Sequence, residues 1–191
     1  MSKFEIKKIL QIINIFLEKS NGSINYTKLI KLLYIADKEF LKKWDYTITG
    51  DMYSSLKSGP VLSKVYDLIK GKSSDNEQVL WDSLFITHDY ELCQLHTNKL
   101  GTDQLSKAEI KAMNDVFELY KNSSYTDLIN LTHDKSKFPE VKWEEAGESS
   151  LDLPIEDLLK SLDRSTEEIE ELLAEWDSQE KEKEFFLEKC V

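Results

Sequence analysis

Apolar residues recur at helical spacing through the first forty residues of the chain. Within residues 4–19 they fall three or four positions apart, which places them along one stripe of an α-helix. The Asn21-Gly22-Ser23 segment predicts the end of that helix. A second stripe follows Asn25, whose side chain suits a helix N-cap. Further apolar residues lie off this second stripe, so we expect the second helix to be contacted on more than one side.

The pattern changes after this second helix. Residues 46–49 are mainly β-branched or aromatic and favour extended structure, and Gly50-Asp51 is typical of a turn. Gly59-Pro60 predicts the start of a third helix, because proline is tolerated at the first helical position. Gly71 predicts its end.

The remaining chain combines one hairpin pattern with further helices. Two short runs within residues 84–95 flank His88-Asp89 and predict a β-hairpin. A capping box at Ser106–Glu109 and a start at Ser124 predict two helices, and two more follow the linker-like residues 144–152. We therefore expect a predominantly α-helical α+β fold with about seven helices and one small antiparallel hairpin or sheet.

The charge of the chain is unevenly distributed. Its 191 residues include 36 acidic and 25 basic side chains, a net charge of −11, yet residues 1–72 carry +6 and residues 73–191 carry −17. Arg164 is the one arginine among the basic residues. Because arginine is the usual reader of phosphate and guanine, this composition argues against DNA as a partner. The acidic part suits a basic face on a partner, although acidic surface also serves solubility alone.

Several classes of protein are excluded by simple patterns. No apolar run approaches the roughly 20 residues of a membrane span. The first residues lack the apolar run and cleavage site of a signal peptide. Cys93 and Cys190 match no metal-binding or redox spacing. We therefore expect a cytoplasmic protein with no membrane anchor, metal or cofactor.

A few side chains are candidates for chemistry. His88 and His96 have no third ligand spaced to complete a metal site. Asp51 suits a general base, or it satisfies turn amides, which is the interpretation that we favour. His133 ends a predicted helix, where an imidazolium would interact well with the helix dipole. We expect no enzymatic activity, and catalysis by Asp51 and His133 is the alternative hypothesis.

Four motifs, in this order, are similar to those of a known family. They are Lys31-Leu32-Leu33-Tyr34-Ile35-Ala36-Asp37, Ile48-Thr49-Gly50-Asp51-Met52-Tyr53, Gly59-Pro60-Val61-Leu62-Ser63-Lys64-Val65-Tyr66 and Leu131-Thr132-His133. Their order and spacing resemble the Panacea domain of SocA-like antitoxins from bacteria and their phages. The resemblance is close over residues ~25–145. It predicts a Panacea domain in residues 1–145 and an acidic helical extension in residues 146–191.

The resemblance implies a type II antitoxin that neutralises a co-encoded toxin by direct binding. The SocA-like mechanism of delivering the bound toxin to a ClpXP-type protease is the alternative. The Phe185-Phe186-Leu187 cluster would either dock on the core, which we favour, or serve as the delivery element. One departure is at Pro139-Glu140, since the family usually places tryptophan directly afterwards and here Trp143 follows later. Neither the toxin nor the oligomeric state follows from the resemblance.

The motif residues form a candidate site with two interpretations. Gly50 and Gly59 suit unusual backbone angles or close approach, and Asp51 can tie the loop to the following helix. The motif is therefore either a structural clasp or the toxin-facing surface. The candidate residues are Asp37, Thr49, Gly50, Asp51, Tyr53, Gly59, Pro60, Val61, Ser63, Tyr66, Thr132 and His133.

Overall fold

A computed structural model describes residues 3–95 and 100–189 of the chain. These two ranges contain nine helices and six strands, so the fold is mixed α+β and mostly helical. The helices are α1 (Ile6–Lys19), α2 (Tyr26–Trp44), α3 (Ser63–Ile69), α4 (Asp75–Asp82), α5 (Lys107–Tyr120), α6 (Tyr125–His133), α7 (Trp143–Ala146), α8 (Ile155–Lys160) and α9 (Thr166–Lys189). The strands are β1 (Ser23–Asn25), β2 (Tyr53–Leu56), β3 (Gly59–Leu62), β4 (Phe85–His88), β5 (Glu91–Gln94) and β6 (Leu151–Leu153).

Helix α2 lies at the centre of the core. It is contacted by α5, α6 and α3 and by strands β1 and β3, which confirms the prediction of a helix packed on several sides. Asn25 caps it as predicted, because its side-chain oxygen accepts hydrogen bonds from the backbone N–H groups of Thr27 and Lys28 at 3.1 and 3.2 Å. Packing of Phe16 in α1 against Phe117 in α5, with ring centroids 6.1 Å apart, extends the core beside α2.

The strands form two antiparallel sheets, where the sequence predicted one. The first has the order β1-β5-β4 and contains the predicted hairpin of β4 and β5. The second has the order β3-β2-β6, and its strand β3 contains Pro60. The prediction that Gly59-Pro60 begins a helix is therefore wrong, and α3 begins at Ser63. Proline is accommodated because β3 is an edge strand, where a missing N–H leaves no pair broken.

The sequence patterns did not predict two of the helices or the second sheet, for identifiable reasons. Helix α4 buries only Trp81, so it has no apolar stripe, and α7 is a single turn. Residues 144–152 have a linker-like composition, yet they include the end of α7 and the start of β6, which pairs with β2. The division of the chain at residue 145 into a domain and an extension stays a prediction.

The C-terminal helix α9 is attached to the core near its start. Ile169 and Trp176 are buried, and the Trp176 indole N–H donates to the carbonyl of Asp45 at 3.0 Å. Phe185 and Phe186 are 52% and 65% exposed, so the prediction that this cluster docks on the core is wrong for these two rings.

Two further points concern membrane-spanning helices and the residues that the structure does not describe. Within residues 3–95 and 100–189, no helix combines the length and apolar character needed to cross a bilayer. His96 and Cys190, which the sequence analysis considered as ligands, lie outside the described residues.

Candidate functional site

Asp37 connects α2 to the loop that precedes β2. It is fully buried, and its carboxylate accepts hydrogen bonds from the backbone N–H groups of Ile48 and Thr49 at 2.8 and 3.0 Å. The hydroxyls of Thr49 and Tyr53 also donate to it, the latter at 2.8 Å. Burial raises the pKa of Asp37, while these hydrogen bonds oppose the rise. The carboxylate thus holds the loop and β2 against α2.

Asp51 performs a second structural connection, to the start of α3. Its carboxylate is also fully buried and accepts from the backbone N–H groups of Met52, Lys64 and Val65 at 2.7, 3.0 and 2.9 Å. The last two are free N–H groups of the first turn of α3, so Asp51 acts as its N-cap from twelve residues upstream of Ser63. Burial raises the pKa of Asp51 to about 6, against the opposing effect of the three hydrogen bonds.

A buried ion pair links α2 to the chain after α6. The Lys38 ammonium donates to both carboxylate oxygens of Glu140, at 2.8 and 2.9 Å, and to the carbonyl of Lys137 at 3.0 Å. The Tyr34 hydroxyl also donates to Glu140, at 2.7 Å. Because the carboxylate and ammonium are each well satisfied, removing either one would leave the other buried without its counter-ion. Glu140 directly precedes the point at which the sequence departs from the family pattern, since Val141 follows it in place of a tryptophan.

Around Gly59, strand β3 comes very close to α2 and to the end of α6. A Cβ atom at Gly59 would lie 2.8 Å from the Thr132 hydroxyl oxygen, 3.2 Å from Lys31 Nζ and 3.4 Å from His133 Cδ2. The φ angle of Gly59 is also +94°, which L side chains rarely adopt. Both predicted reasons for glycine, close approach and unusual backbone angle, are confirmed here. The Lys31 ammonium donates to the carbonyl of Pro60 at 2.7 Å.

His133 ends α6 as predicted, but its surroundings favour the neutral ring over the imidazolium. It stacks on Trp143 with centroids 4.2 Å apart and an interplanar angle of 11°. Burial lowers the pKa of His133, and the nearby Lys31 and Lys135 lower it further. The neutral ring is therefore favoured, contrary to the expected interaction of a cation with the helix dipole. Its Nε2 is buried without a hydrogen-bond partner.

The twelve predicted site residues are distributed over neighbouring positions around α2. Asp37, Thr49 and Tyr53 form one hydrogen-bonded cluster, to which Asp51 is joined through its N–H and the Thr49 hydroxyl at 3.2 Å. Gly50, with φ of +64°, lies in the same buried loop. The others lie elsewhere along β3, α3 and α6: Gly59, Pro60, Thr132 and His133 meet at the Gly59 contact, Ser63 bonds to Ser54 at 2.9 Å, and Val61 and Tyr66 line a cleft beside α2.

Sequence reasoning missed the two buried lysines of α2 and Glu140. Lys31 and Lys38 are 1% and 6% exposed, although lysine is normally a surface residue. The available signal was their position, since both occur inside the strongly apolar stretch of α2. That position alone predicts burial, but it does not identify a partner.

The described residues contain no group of three or more histidine, cysteine or acidic side chains arranged to hold a metal ion. His88 lies at the end of β4, and its Nδ1 is 3.3 Å from the carboxylate of Asp89, with both side chains more than 80% exposed. No arrangement resembling a metal centre therefore accompanies the buried clusters in this part of the chain.

Comparison with known proteins finds one family that matches most of this region. The family described as "Antitoxin SocA-like, Panacea domain" matches residues 29–138, which is more than half of the chain and includes Asp37, Asp51 and His133. No curated protein and no solved structure matches the chain. The motif resemblance is thereby confirmed, and the chain belongs to the SocA-like antitoxin family through its Panacea domain.

Proposed function

We propose that this chain is a cytoplasmic antitoxin that neutralises a partner toxin by direct binding, without a catalytic step. The observation that carries the proposal is its family membership over residues 29–138. The motif geometry supports it, because the carboxylates of Asp37 and Asp51 accept hydrogen bonds from their own chain. Of the two interpretations of the motif, this burial favours a clasp that holds the fold, and the toxin would then bind elsewhere.

An exposed apolar groove between α2 and α5 is the surface that best fits a protein partner. Its volume is about 340 Å³, and its apolar lining includes Phe40, Trp44, Val116 and Leu119. Leu119 is 71% exposed and Trp44 is 45% exposed. Clustered exposed apolar side chains mark interaction sites, and tryptophan is among the commonest anchors of interfaces. We therefore place the toxin contact on this α2–α5 groove.

Growth rescue and complex formation test the function together. The neighbouring open reading frame is induced alone and with this chain, and the toxin is then purified through an affinity tag. The proposal expects rescue together with a co-purifying complex. A toxin that stays lethal despite a well-expressed and folded partner would contradict neutralisation by this protein.

A pair of matched variants then tests the groove. Leu119→Glu places a charge in the α2–α5 groove, whereas Val79→Glu makes the same kind of change at a side chain that is 68% exposed on α4. Both positions are surface positions, so both variants should fold normally by circular dichroism. We expect Leu119→Glu to abolish rescue and co-purification and Val79→Glu to preserve them. The opposite result would indicate that the toxin binds α4 and not the α2–α5 groove.

Delivery of the toxin to a ClpXP-type protease is a second candidate function. It is favoured by one observation, the exposed rings of Phe185 and Phe186 near the end of α9, which pack edge to face at 6.0 Å. Deletion of residues 184–191 separates the two mechanisms. Loss of toxin turnover with binding intact supports the adaptor, whereas unchanged toxin levels and unchanged rescue support neutralisation by binding alone.

Catalysis by Asp51 and His133 is the alternative from a different class. No hydrogen bond or ion pair joins these two side chains in the described part of the chain, and Asp51 already accepts from three backbone N–H groups. Asp51→Asn and His133→Ala proteins are compared with the unmodified protein in the rescue assay, with their melting temperatures measured in parallel. Unchanged rescue at an unchanged melting temperature would exclude catalysis by these two residues.

A further inference from the structure

A cleft beside the start of α2 has a lining that differs from the rest of this acidic protein. Its volume is about 440 Å³, within the range of small-molecule sites. The side chains of Tyr26, Tyr66, Tyr90 and Tyr125 line it, together with Lys31. The chain carries 36 acidic residues, yet no carboxylate is found among the described residues that line this cleft. Lys31 is the one basic side chain among the described residues that line it, and the Lys70 ammonium lies 4.3 Å from the centroid of the Tyr26 ring and 5.4 Å from that of Tyr66. Its electrostatic character is therefore set by cations among aromatic rings.

Lys31 is unusual because its charge has no counter-ion. It is 1% exposed, and the one acceptor that it has among the described residues is the neutral carbonyl of Pro60 at 2.7 Å. In its protonated form the group has three N–H donors, so two of them have no acceptor among the residues that the structure describes. Burial lowers the pKa of Lys31 to about 7, as expected for a cation that has lost its hydration.

Lys38, the second buried lysine of α2, has the partners that are expected of a structural ion pair. Two turns further along α2, its ammonium pairs with both oxygens of Glu140 and with a backbone carbonyl. A buried charge without such partners is costly, and the cost is recovered when a ligand of opposite charge fills the site. Lys38 therefore has an acidic side chain as its counter-ion, whereas Lys31 has none in the described part of the chain.

The surroundings of Lys31 also restrict its position. Close packing at Gly59, where an added Cβ atom would lie 3.2 Å from Nζ, closes one side of the ammonium with backbone. The tyrosine rings line the cleft, with Tyr26 and Tyr90 stacked at 5.7 Å. Flat apolar groups pack well on such rings, and an ammonium matches a negatively charged group.

We propose that this cleft binds a small organic monocarboxylate with a flat, apolar body, whose carboxylate accepts hydrogen bonds from Lys31 and whose body packs among the tyrosine rings. The site is separate from the α2–α5 groove, so it does not depend on where the toxin binds. It gives the antitoxin domain a place for a small ligand beside the Gly59 contact, where β3, α2 and α6 meet.

Titration of the purified full chain with benzoate, by calorimetry and by NMR chemical shifts, tests this site. A ligand of nine non-hydrogen atoms is expected to bind with a Kd of about 1 mM. Benzyl alcohol has the same ring without the charge, and acetate has the charge without the ring. Each should bind at least about tenfold more weakly, because each lacks one of the two recognition elements.

Two charge-matched variants complete the test. Lys31→Met should weaken benzoate binding by about tenfold or more, because the counter-ion is removed. Lys28→Met makes the same charge change one turn earlier on α2, where the ammonium binds the carbonyl of Lys121 instead, and it should change the affinity less than about twofold. Far-ultraviolet circular dichroism and unfolding curves verify that both variants are folded.

Three results would overturn the proposal. The first is a chain that binds no benzoate at 20 times the expected Kd, and the second is binding that Lys31→Met leaves unchanged. The third is a loss of toxin binding in Lys31→Met while benzoate neither binds nor competes. In that case the cleft accepts an acidic side chain of the partner protein instead of a small molecule.

Discussion

Replacing Lys31 with methionine is expected to stabilise the protein near neutral pH and to lose that effect in alkaline solution. Methionine keeps the length and apolar stem of lysine but removes the buried charge. In the folded protein burial lowers the pKa of Lys31 from 10.5 to about 7. Because one pKa unit corresponds to about 1.4 kcal/mol, the proton that Lys31 gives up on folding costs about 4 kcal/mol at pH 7.5.

The hydrogen bond to Pro60 acts in the opposite direction. Its loss leaves a buried carbonyl without a donor, which costs about 1–3 kcal/mol. The net expectation for Lys31→Met at pH 7.5 is a free energy of unfolding higher than wild type by about 1–3 kcal/mol. The sign is unusual for a substitution in the core, and this makes the prediction informative.

The pH dependence separates the charge from the packing. Between pH 7 and 10.5 the unfolded chain holds a proton on Lys31 that the folded chain has lost, so wild-type stability rises with pH through this window. At pH 10 only about 1 kcal/mol of the penalty is left, and Lys31→Met should then equal wild type or be less stable. Working above pH 7.5 also avoids the titration of His133, whose pKa is lowered.

Urea unfolding of both proteins, followed by tryptophan fluorescence at pH 7.5 and pH 10, measures the difference. Lys38→Met serves as the matched control, because it removes the counter-ion of the buried Glu140 carboxylate. It should lower the free energy of unfolding by about 3–5 kcal/mol. A Lys31→Met protein that is less stable than wild type at pH 7.5, or a difference that does not change with pH, would refute the reasoning. Either result would mean that the Lys31 ammonium is solvated or paired in the folded protein.

Three further substitutions test the buried clusters. Asp51→Ala removes the acceptor for three backbone N–H groups and should lower the free energy of unfolding by about 2–4 kcal/mol in urea titrations; a loss below 1 kcal/mol would contradict the capping role. Gly59→Ala should lower the free energy of unfolding by about 3 kcal/mol or more, because its Cβ would lie 2.8 Å from a side-chain atom. Gly71→Ala has a similar positive φ but open space around it, and it should lower that free energy by about 1–2 kcal/mol. Equal losses of stability in the two variants would exclude the contact as the cause. Trp143→Ala uncovers the ring of His133 and should raise its pKa towards the ordinary value of 6.5 in an NMR titration, and an unchanged pKa would show that the stacked ring contributes nothing to its desolvation.

Elements whose signals are local were predicted well from the sequence. The capping box of α5 uses Ser106 and Glu109, three residues apart, and both of its hydrogen bonds are present. The hairpin of β4 and β5 likewise depends on neighbouring residues. Pro60 was misassigned because proline suits both the first turn of a helix and an edge strand. Only the pairing of β3 with β2 distinguishes the two.

The candidate site was predictable in part. The family motif is enough to locate Asp37, Thr49, Asp51 and Gly59 in the sequence, and the close approach at Gly59 follows from its residue type. The motif did not indicate whether its polar residues face inward or outward. That distinction depends on the packing of α2 against the loop and β2, which no spacing along the chain encodes.

The two lysines of α2 show the boundary between sequence and tertiary structure. The sequence by itself determined that α2 is a helix, where it begins, and that Lys31 and Lys38 lie among apolar residues, since these properties arise within a few turns of one chain segment. Tertiary structure alone decided their different environments. Lys38 meets Glu140, 102 residues away, whereas the acceptor that Lys31 has among the described residues is a backbone carbonyl beside an aromatic cleft. The physical reason is that the free energy of a buried charge is set by the groups that surround it in space, and these come from distant parts of the chain.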